Sequence, residues 1–99
     1  MMIEKSPIKQ LHAIIEGRVQ GVGFRAFVLQ NATDLNLTGW VRNRWNGDVE
    51  IVAEGEREML ERLLSAVHLG PRSANVINVH VDWLEVSGNY SSFTARRTE

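Results

Sequence analysis

The chain has 99 residues, too few for two separate cores, and 43% of them are hydrophobic, enough to bury roughly 65% of the extended surface without staples. With no cysteine, disulfides, thiolate metal sites and cysteine nucleophiles are excluded. Eleven Lys and Arg against twelve Asp and Glu leave a net charge of −1, which argues against a general nucleic-acid binder.

No apolar run approaches the ~18 residues of a membrane span, and the opening MMIEKSPIKQ contains no apolar segment of signal-peptide length. The chain is therefore expected to remain unexported, in the cytoplasm. There are no repeats, low-complexity tracts or linker-like stretches, so residues 1–99 are expected to form one domain.

From Ile8 to Gly17, Leu11, Ala13 and Ile15 alternate with His12 and Glu16, Ile14 being the exception, which predicts a strand ending at glycine. Phe24, Phe27, Val28, Ala32 and Leu35 then recur at helical steps and predict a helix with one buried stripe. In the next segment Leu37, Val41 and Asn43 share one parity while Trp40, Arg42 and Arg44 share the other, a strand of mixed exposure. Asn46 and Gly47 suit a two-residue hairpin. The return strand alternates Val49, Ile51 and Ala53 with Asp48, Glu50 and Glu54, predicting one dry and one wet face, and ends at Gly55. Met59, Leu60, Leu63, Leu64 and Val67 form the stripe of a second helix, stopped by Gly70 and Pro71. Ile77, Val79, Val81 and Trp83 alternate as a further strand, and Phe93 to Arg97 adds a short last one.

The order strand, helix, strand, strand, helix, strand is the ferredoxin-like α/β sandwich, expected as an antiparallel sheet with two helices on one face. A helical crossover makes the first two strands parallel, and the return strand of the hairpin fits between them. Gly17, Asn43 and the start of the first helix should therefore meet at one rim of the sheet.

Residues 17–25 read Gly, Arg, Val, Gln, Gly, Val, Gly, Phe, Arg. Glycines between a strand and a helix let several N–H groups point into one concavity, and the helix dipole adds about half a positive charge at its mouth. An anion of phosphate size fits there. Arg25, at the start of the helix, can reach the same anion with a planar fork of donors, where a purely structural residue would more favourably be apolar or acidic. Segment 18–44 also holds Arg18, Arg25, Arg42 and Arg44 against Asp34 alone, a local +3 that would favour a small anion.

Two nucleotide-binding readings fail. Gly21, Gly23 and Ala26 satisfy the spacing of the dinucleotide fingerprint, but no acidic residue stands about twenty residues later to hold a ribose. The phosphate loop of nucleotide hydrolases is absent, since no Gly-Lys-Ser or Gly-Lys-Thr occurs.

The run GRVQGVGFR at 17–25, followed by GWVRN at 39–43 and by Gly47, Val49 and Gly55 in register, resembles the two signature motifs of the acylphosphatase family. The likeness extends through the element order to nearly the whole chain. It implies a small hydrolase, free of metal and cofactor, that cleaves the carboxyl–phosphate anhydride of acyl phosphates. It also implies that Arg25 binds phosphate and that Asn43 orients the attacking water. The backbone amides of Arg18, Val19, Gln20, Gly21, Val22, Gly23 and Phe24 match the family's phosphate cradle. Trp45 and Asn46 vary a hairpin tip where relatives often carry acidic residues.

The expected partner is a small acyl phosphate, with no nucleic acid or membrane, and the expected state is a monomer. The rival reading is a module that binds phosphate or carbamoyl phosphate without efficient turnover, like related domains inside larger maturation proteins. A 99-residue chain is expected to have no attached domain to receive a product, which favours the hydrolase. His12, His68 and His80 lack close metal-ligand spacing and are expected to be structural or exposed, and Arg42 and Arg44 to lie on a solvated face. Trp40, Trp45 and Trp83 would suit base stacking, but the aromatic glycine-rich RNA signature is missing, so core or edge packing is expected.

Overall fold

The structure, a computed structural model, describes residues 6–99. The expectation that the chain opens without a leader falls largely on residues 1–5, outside the described residues. The elements are β1 (Ile8–Arg18), α1 (Phe24–Asp34), β2 (Thr38–Asn43), β3 (Val49–Glu56), α2 (Arg57–Leu69), β4 (Asn75–Leu84) and β5 (Phe93–Ala95). They form one five-stranded sheet in the order β4-β1-β3-β2-β5. As the crossover argument requires, β3 lies between β1 and β2 and is antiparallel to both.

The short last strand changes the sheet class. β5 pairs parallel to β2, with Gly39 opposite Phe93, so the sheet is mixed rather than wholly antiparallel.

One face of the sheet carries the core. Leu11, Ala13 and Ile15 of β1 stand opposite Ala53, Ile51 and Val49 of β3, and all six are fully buried. Val28 and Ala32 of α1 and Leu60, Leu63 and Val67 of α2 close over them, each also fully buried. Removing a large apolar side chain of this kind from water stabilises by roughly 1.5–3 kcal/mol before the entropy of ordering it is subtracted. The predicted stripes are thus the core, with Phe27, Leu35, Met59 and Leu64 at its partly buried margin.

Three local expectations fail for identifiable reasons. The hairpin turn is longer than two residues. Arg44 N–H donates to Asp48 O at 2.8 Å and Gly47 N–H to Arg44 O at 3.1 Å, with Gly47 at φ 101, the arrangement of a three-residue loop with a positive-φ residue at its end. The Asn46 side-chain oxygen accepts from Asp48 N–H at 3.0 Å and so stabilises the wider turn.

In β4, Ile77 is 67% exposed. The pairing of β1 with β4 shifts between Glu16 and Gly17, which stand opposite Asn78 and Val76. The shift leaves Ile77 as an extra residue, and Val76 packs against the core in its place.

The face of β3 expected to be wet is covered. Glu50 and Glu54 are only 6% and 4% exposed. Because β3 is central, long side chains of its neighbours fold over it. Glu50 accepts from His12 Nε2 at 2.7 Å, Arg42 Nε at 2.8 Å and Arg44 Nη1 at 3.2 Å, so Arg42 and Arg44 belong to a half-buried ion cluster rather than a solvated face. Glu54 accepts from Ser87 N–H at 2.8 Å, Ser87 Oγ at 2.6 Å and Gly88 N–H at 3.0 Å. That carboxylate ties the segment after β4 back onto the middle of the sheet.

Burial pushes the pKa of Glu50 up, but hydrogen bonds from His12 and Arg42 and the charges of Arg42 and Arg44 outweigh it, leaving the carboxyl below its usual value of 4.5. For Glu54 burial is likewise outweighed, here by Ser87, Gln10 and Gly88, and its pKa also falls below 4.5. A depressed folded-state pKa stabilises the fold fully above the unfolded value, and the contribution is lost as pH falls through the lower folded value. Unfolding measured in urea should therefore give a stability that declines below about pH 4.5, with a shallower decline in Glu54→Gln than in the parent. An equal acid slope in both proteins would show that Glu54 is not the group being titrated.

Candidate active site

The turn between β1 and α1 is pinned at both ends by side chains in the core. Val19 is 1% exposed and Phe24 is 2% exposed. Between them the backbone is free to follow its glycines. Gly21 and Gly23 have φ of 72° and 79°, a region that residues with a Cβ enter only at a cost of roughly 1–2 kcal/mol. A Cβ at either position would meet nothing within 4 Å. Backbone conformation, not space, therefore calls for glycine here.

The two helices differ at their N-termini. α2 has Glu58 in its first turn, and Glu58 N–H donates to Ser6 Oγ at 3.0 Å. α1 has no acidic residue in its first turn and no side-chain cap. Phe27 N–H donates to Gly23 O at 3.0 Å; among the described residues the N–H groups from Gly21 to Ala26 have no comparable partner. They are a run of unpaired donors at the positive end of a helix.

This run opens on a cavity of about 370 Å³ lined by Val19, Gly21, Gly23, Phe24, Arg25, Ala26, Leu29, Asn43 and Ala95. Asn43 reaches it through register. It is the last residue of β2, opposite Val49, which in turn stands opposite Ile15. It therefore faces the same side of the sheet as the buried core, one step beyond Val41, at the rim where α1 begins. Arg25 comes from the first turn of α1, and its Nη1 donates to Arg96 O at 3.2 Å.

The cavity thus brings together Arg25 and Asn43 with Val19, Gly21, Gly23 and Phe24. It does not include the side chains of the other three cradle residues. Arg18 is exposed at the end of β1, opposite Asn75, Val22 packs against the core, and Gln20 donates from Nε2 to Arg44 O at 2.7 Å and Asp48 O at 2.9 Å. The local +3 of the sequence is not concentrated here either, since Arg25 is the one arginine lining the cavity.

Ala26, Leu29 and Ala95 also line it, and sequence reasoning missed them. Helical spacing from Arg25 puts Leu29 one turn further along the same face, which was a usable signal. Ala95 had none, because it arrives through the parallel pairing of β5. That strand's path continues past Ala95: Arg96 N–H donates to Val41 O at 2.8 Å, and Glu99 N–H to Asn43 O at 3.0 Å. The end of the chain therefore touches both sides of the cavity.

The remaining histidines and tryptophans lie elsewhere. His80 Nε2 pairs with Glu16 at 2.6 Å and His68 Nδ1 with Leu64 O at 2.8 Å, and no group of three or more potential metal ligands occurs among the described residues. Trp40 lies against the guanidinium groups of Arg42 and Arg96, and Trp83 against that of Arg57. Trp45, expected to pack, is 82% exposed at the hairpin tip.

The family model described as Acylphosphatase matches residues 11–95, which includes the turn, Arg25 and Asn43. An acylphosphatase of Salinibacter ruber is 47% identical over 96% of this chain and all of its own length. The crystal structure of acylphosphatase from Bacillus subtilis superposes with a TM-score of 0.86 at 39% identity, covering 89% of this chain and 98% of that one. Full-length HypF, in a crystal structure of its phosphate- and nucleotide-bound form, contains a similar unit, with a TM-score of 0.85 at 30% identity over 94% of this chain but only 12% of HypF. With the match running through the motif-bearing strand ends and almost the full length of free-standing relatives, the chain belongs to the acylphosphatase family.

Proposed function

We propose that this chain acts as one acylphosphatase domain that hydrolyses the carboxyl–phosphate bond of small acyl phosphates, with Arg25 and the amides of the 18–24 turn holding the phosphoryl group and Asn43 aligning the water. One observation supports the assignment of roles: Arg25, Asn43 and the turn residues Val19, Gly21, Gly23 and Phe24 line a single cavity, although Arg25 and Asn43 stand on different elements.

The chemistry asks little more of the protein. A carboxylate is already a good leaving group, so the enzyme has to hold the phosphoryl group, stabilise charge on its equatorial oxygens and bring water into line. The fixed N–H groups and Arg25 supply the first two. The water oxygen bonds to phosphorus, the phosphorus–oxygen bond to the acyl group breaks, and its electron pair leaves with the carboxylate. Asn43 has no basic site near neutral pH, so its part is to orient the water, and the water's proton passes to a phosphate oxygen of the substrate. No step requires a metal ion or cofactor.

We further propose that the protein works as a monomer in the cytoplasm without nucleic-acid or membrane partners. The charge of −1 speaks against a nucleic-acid partner, and among the described residues no helix is long and apolar enough to cross a membrane. The likeness to a small part of HypF favours one second reading, in which the same cradle binds phosphate or carbamoyl phosphate with little turnover.

Hydrolysis of benzoyl phosphate with a chelator present separates the two readings. The parent should turn over, and Arg25→Ala and Asn43→Ala should each lower kcat/KM by about 10²- to 10³-fold, the usual cost of removing an oriented donor. A folded variant within about twofold of the parent would remove that residue from its role. Since no protein group is asked to titrate near neutrality, kcat should vary little between about pH 6 and 8, and a steep protein-derived limb there would contradict proton transfer to the substrate's own phosphate.

A further inference from the structure

Gln20 lies within the turn, but its side chain leaves the cavity and crosses to the β2–β3 hairpin. Its Nε2 donates to Arg44 O at 2.7 Å and to Asp48 O at 2.9 Å. Two carbonyl acceptors settle which end of the carboxamide points there, because only the amide nitrogen carries two hydrogens to give. The acceptors are specific in position. Arg44 directly follows Asn43 and Asp48 directly precedes Val49, and Asn43 with Val49 is the final pair of the β2–β3 ladder. Gln20 therefore bonds to the residues flanking that pair, while the next residue along its own chain is Gly21, the first glycine lining the cavity.

Among the described residues these are the only hydrogen bonds joining the segment from Val19 to Ala26 to the hairpin. A second, indirect tie runs from Arg25 Nη1 to Arg96 O and from Arg96 N–H to Val41 O, but it passes through the exposed last segment, so Gln20 makes the direct link between the cradle and the strand end that carries Asn43. Core packing fixes Val19 and Phe24, but apolar contact resists sliding along the rim less than a two-pronged hydrogen bond does.

We propose that the Gln20 side chain is a positioning residue that sets Asn43 against the cradle, so that it affects the alignment of the water and not the affinity for the phosphoryl group. This rests on the role given above to Asn43. Displacing a water-orienting group by a fraction of an ångström slows the chemical step, while Arg25 and the turn amides continue to grip the anion.

The test is a double-mutant cycle on the full chain. Gln20→Met retains the length and loses both donors. It should lower kcat on benzoyl phosphate by on the order of 10- to 100-fold and leave the inhibition constant of inorganic phosphate within about twofold. In the Asn43→Ala background the same change should lower kcat by less than about twofold, because the group it positions is gone. If the two losses multiply, or phosphate affinity drops in step with kcat, Gln20 acts through something other than Asn43 and the proposal fails. If Asn43→Ala alone leaves turnover unchanged, the role of Asn43 fails first and the proposal goes with it.

Gln20→Glu gives a second measurement should Gln20→Met not fold. A carboxylate offers no donor to the two carbonyls, whereas the carboxylic acid offers one. The ratio of variant to parent kcat should therefore rise as pH falls through the carboxyl pKa. A ratio independent of pH in a folded Gln20→Glu would also overturn the proposal.

Discussion

The start of α1 concentrates positive potential without a negative side chain of its own to balance it. A run of main-chain N–H groups from Gly21 to Ala26 is left without protein partners, and the helix carries an arginine rather than an acid in its first turn. A cation at that end is unfavourable by roughly 0.3–1 kcal/mol, and the left-handed glycines give up more conformational freedom than other residues would. The fold tolerates this because Val19, Phe24, Val28 and Ala32 are buried on either side of the turn. On the proposed reading an incoming dianion relieves what the free protein leaves uncompensated, so that the anion site is prepared in advance rather than assembled on binding.

The rest of the molecule can be understood as the frame that holds this arrangement. The helix-covered face of the sheet provides the burial. The opposite face provides register, through carboxylates whose charge is matched by neighbours. Glu50 gathers His12 from β1, Arg42 from β2 and Arg44 from the hairpin that follows it, and Glu54 gathers the segment following β4. Removing one partner from such a cluster leaves a nearly buried charge unpaired, a larger loss than the cluster's net contribution. This network also occupies Arg42 and Arg44, and Arg18 is exposed outside the cavity lining, so the cavity is left with Arg25 as its principal charge.

Membership of the acylphosphatase family agrees with this economy of parts. The reaction has a good leaving group, so under the roles proposed for the turn and Asn43 a rigid cradle and an oriented neutral carboxamide suffice. Both are supplied by strand ends and a helix start whose positions follow from sheet topology. A similar unit within HypF shows that this fold also occurs as a small part of a larger protein.

Much of this was legible in the sequence because periodicity and glycine placement are local properties. The alternation in β1, the stripes of α1 and α2, and the glycines of the turn depend on neighbours a few residues away, and crossover geometry then dictates that Asn43 and the turn share a rim. Apart from the hairpin turn, whose wider form is decided within residues 44–48, the main misreadings were cases where a distant residue decided the outcome. Glu50 and Glu54 looked exposed because their partners His12 and Ser87 lie more than thirty residues away. Ile77 was displaced by a pairing shift opposite Gly17, and Ala95 came to the cavity through a parallel pairing that no periodicity encodes. By itself, the sequence determined the core, the order of elements and the residues proposed to hold a phosphoryl group, since these follow from side-chain chemistry and chain geometry. The covering of the second sheet face, the path of the chain's end and the bond from Gln20 to the hairpin were decided only in three dimensions, because each depends on which long polar side chain reaches which distant partner.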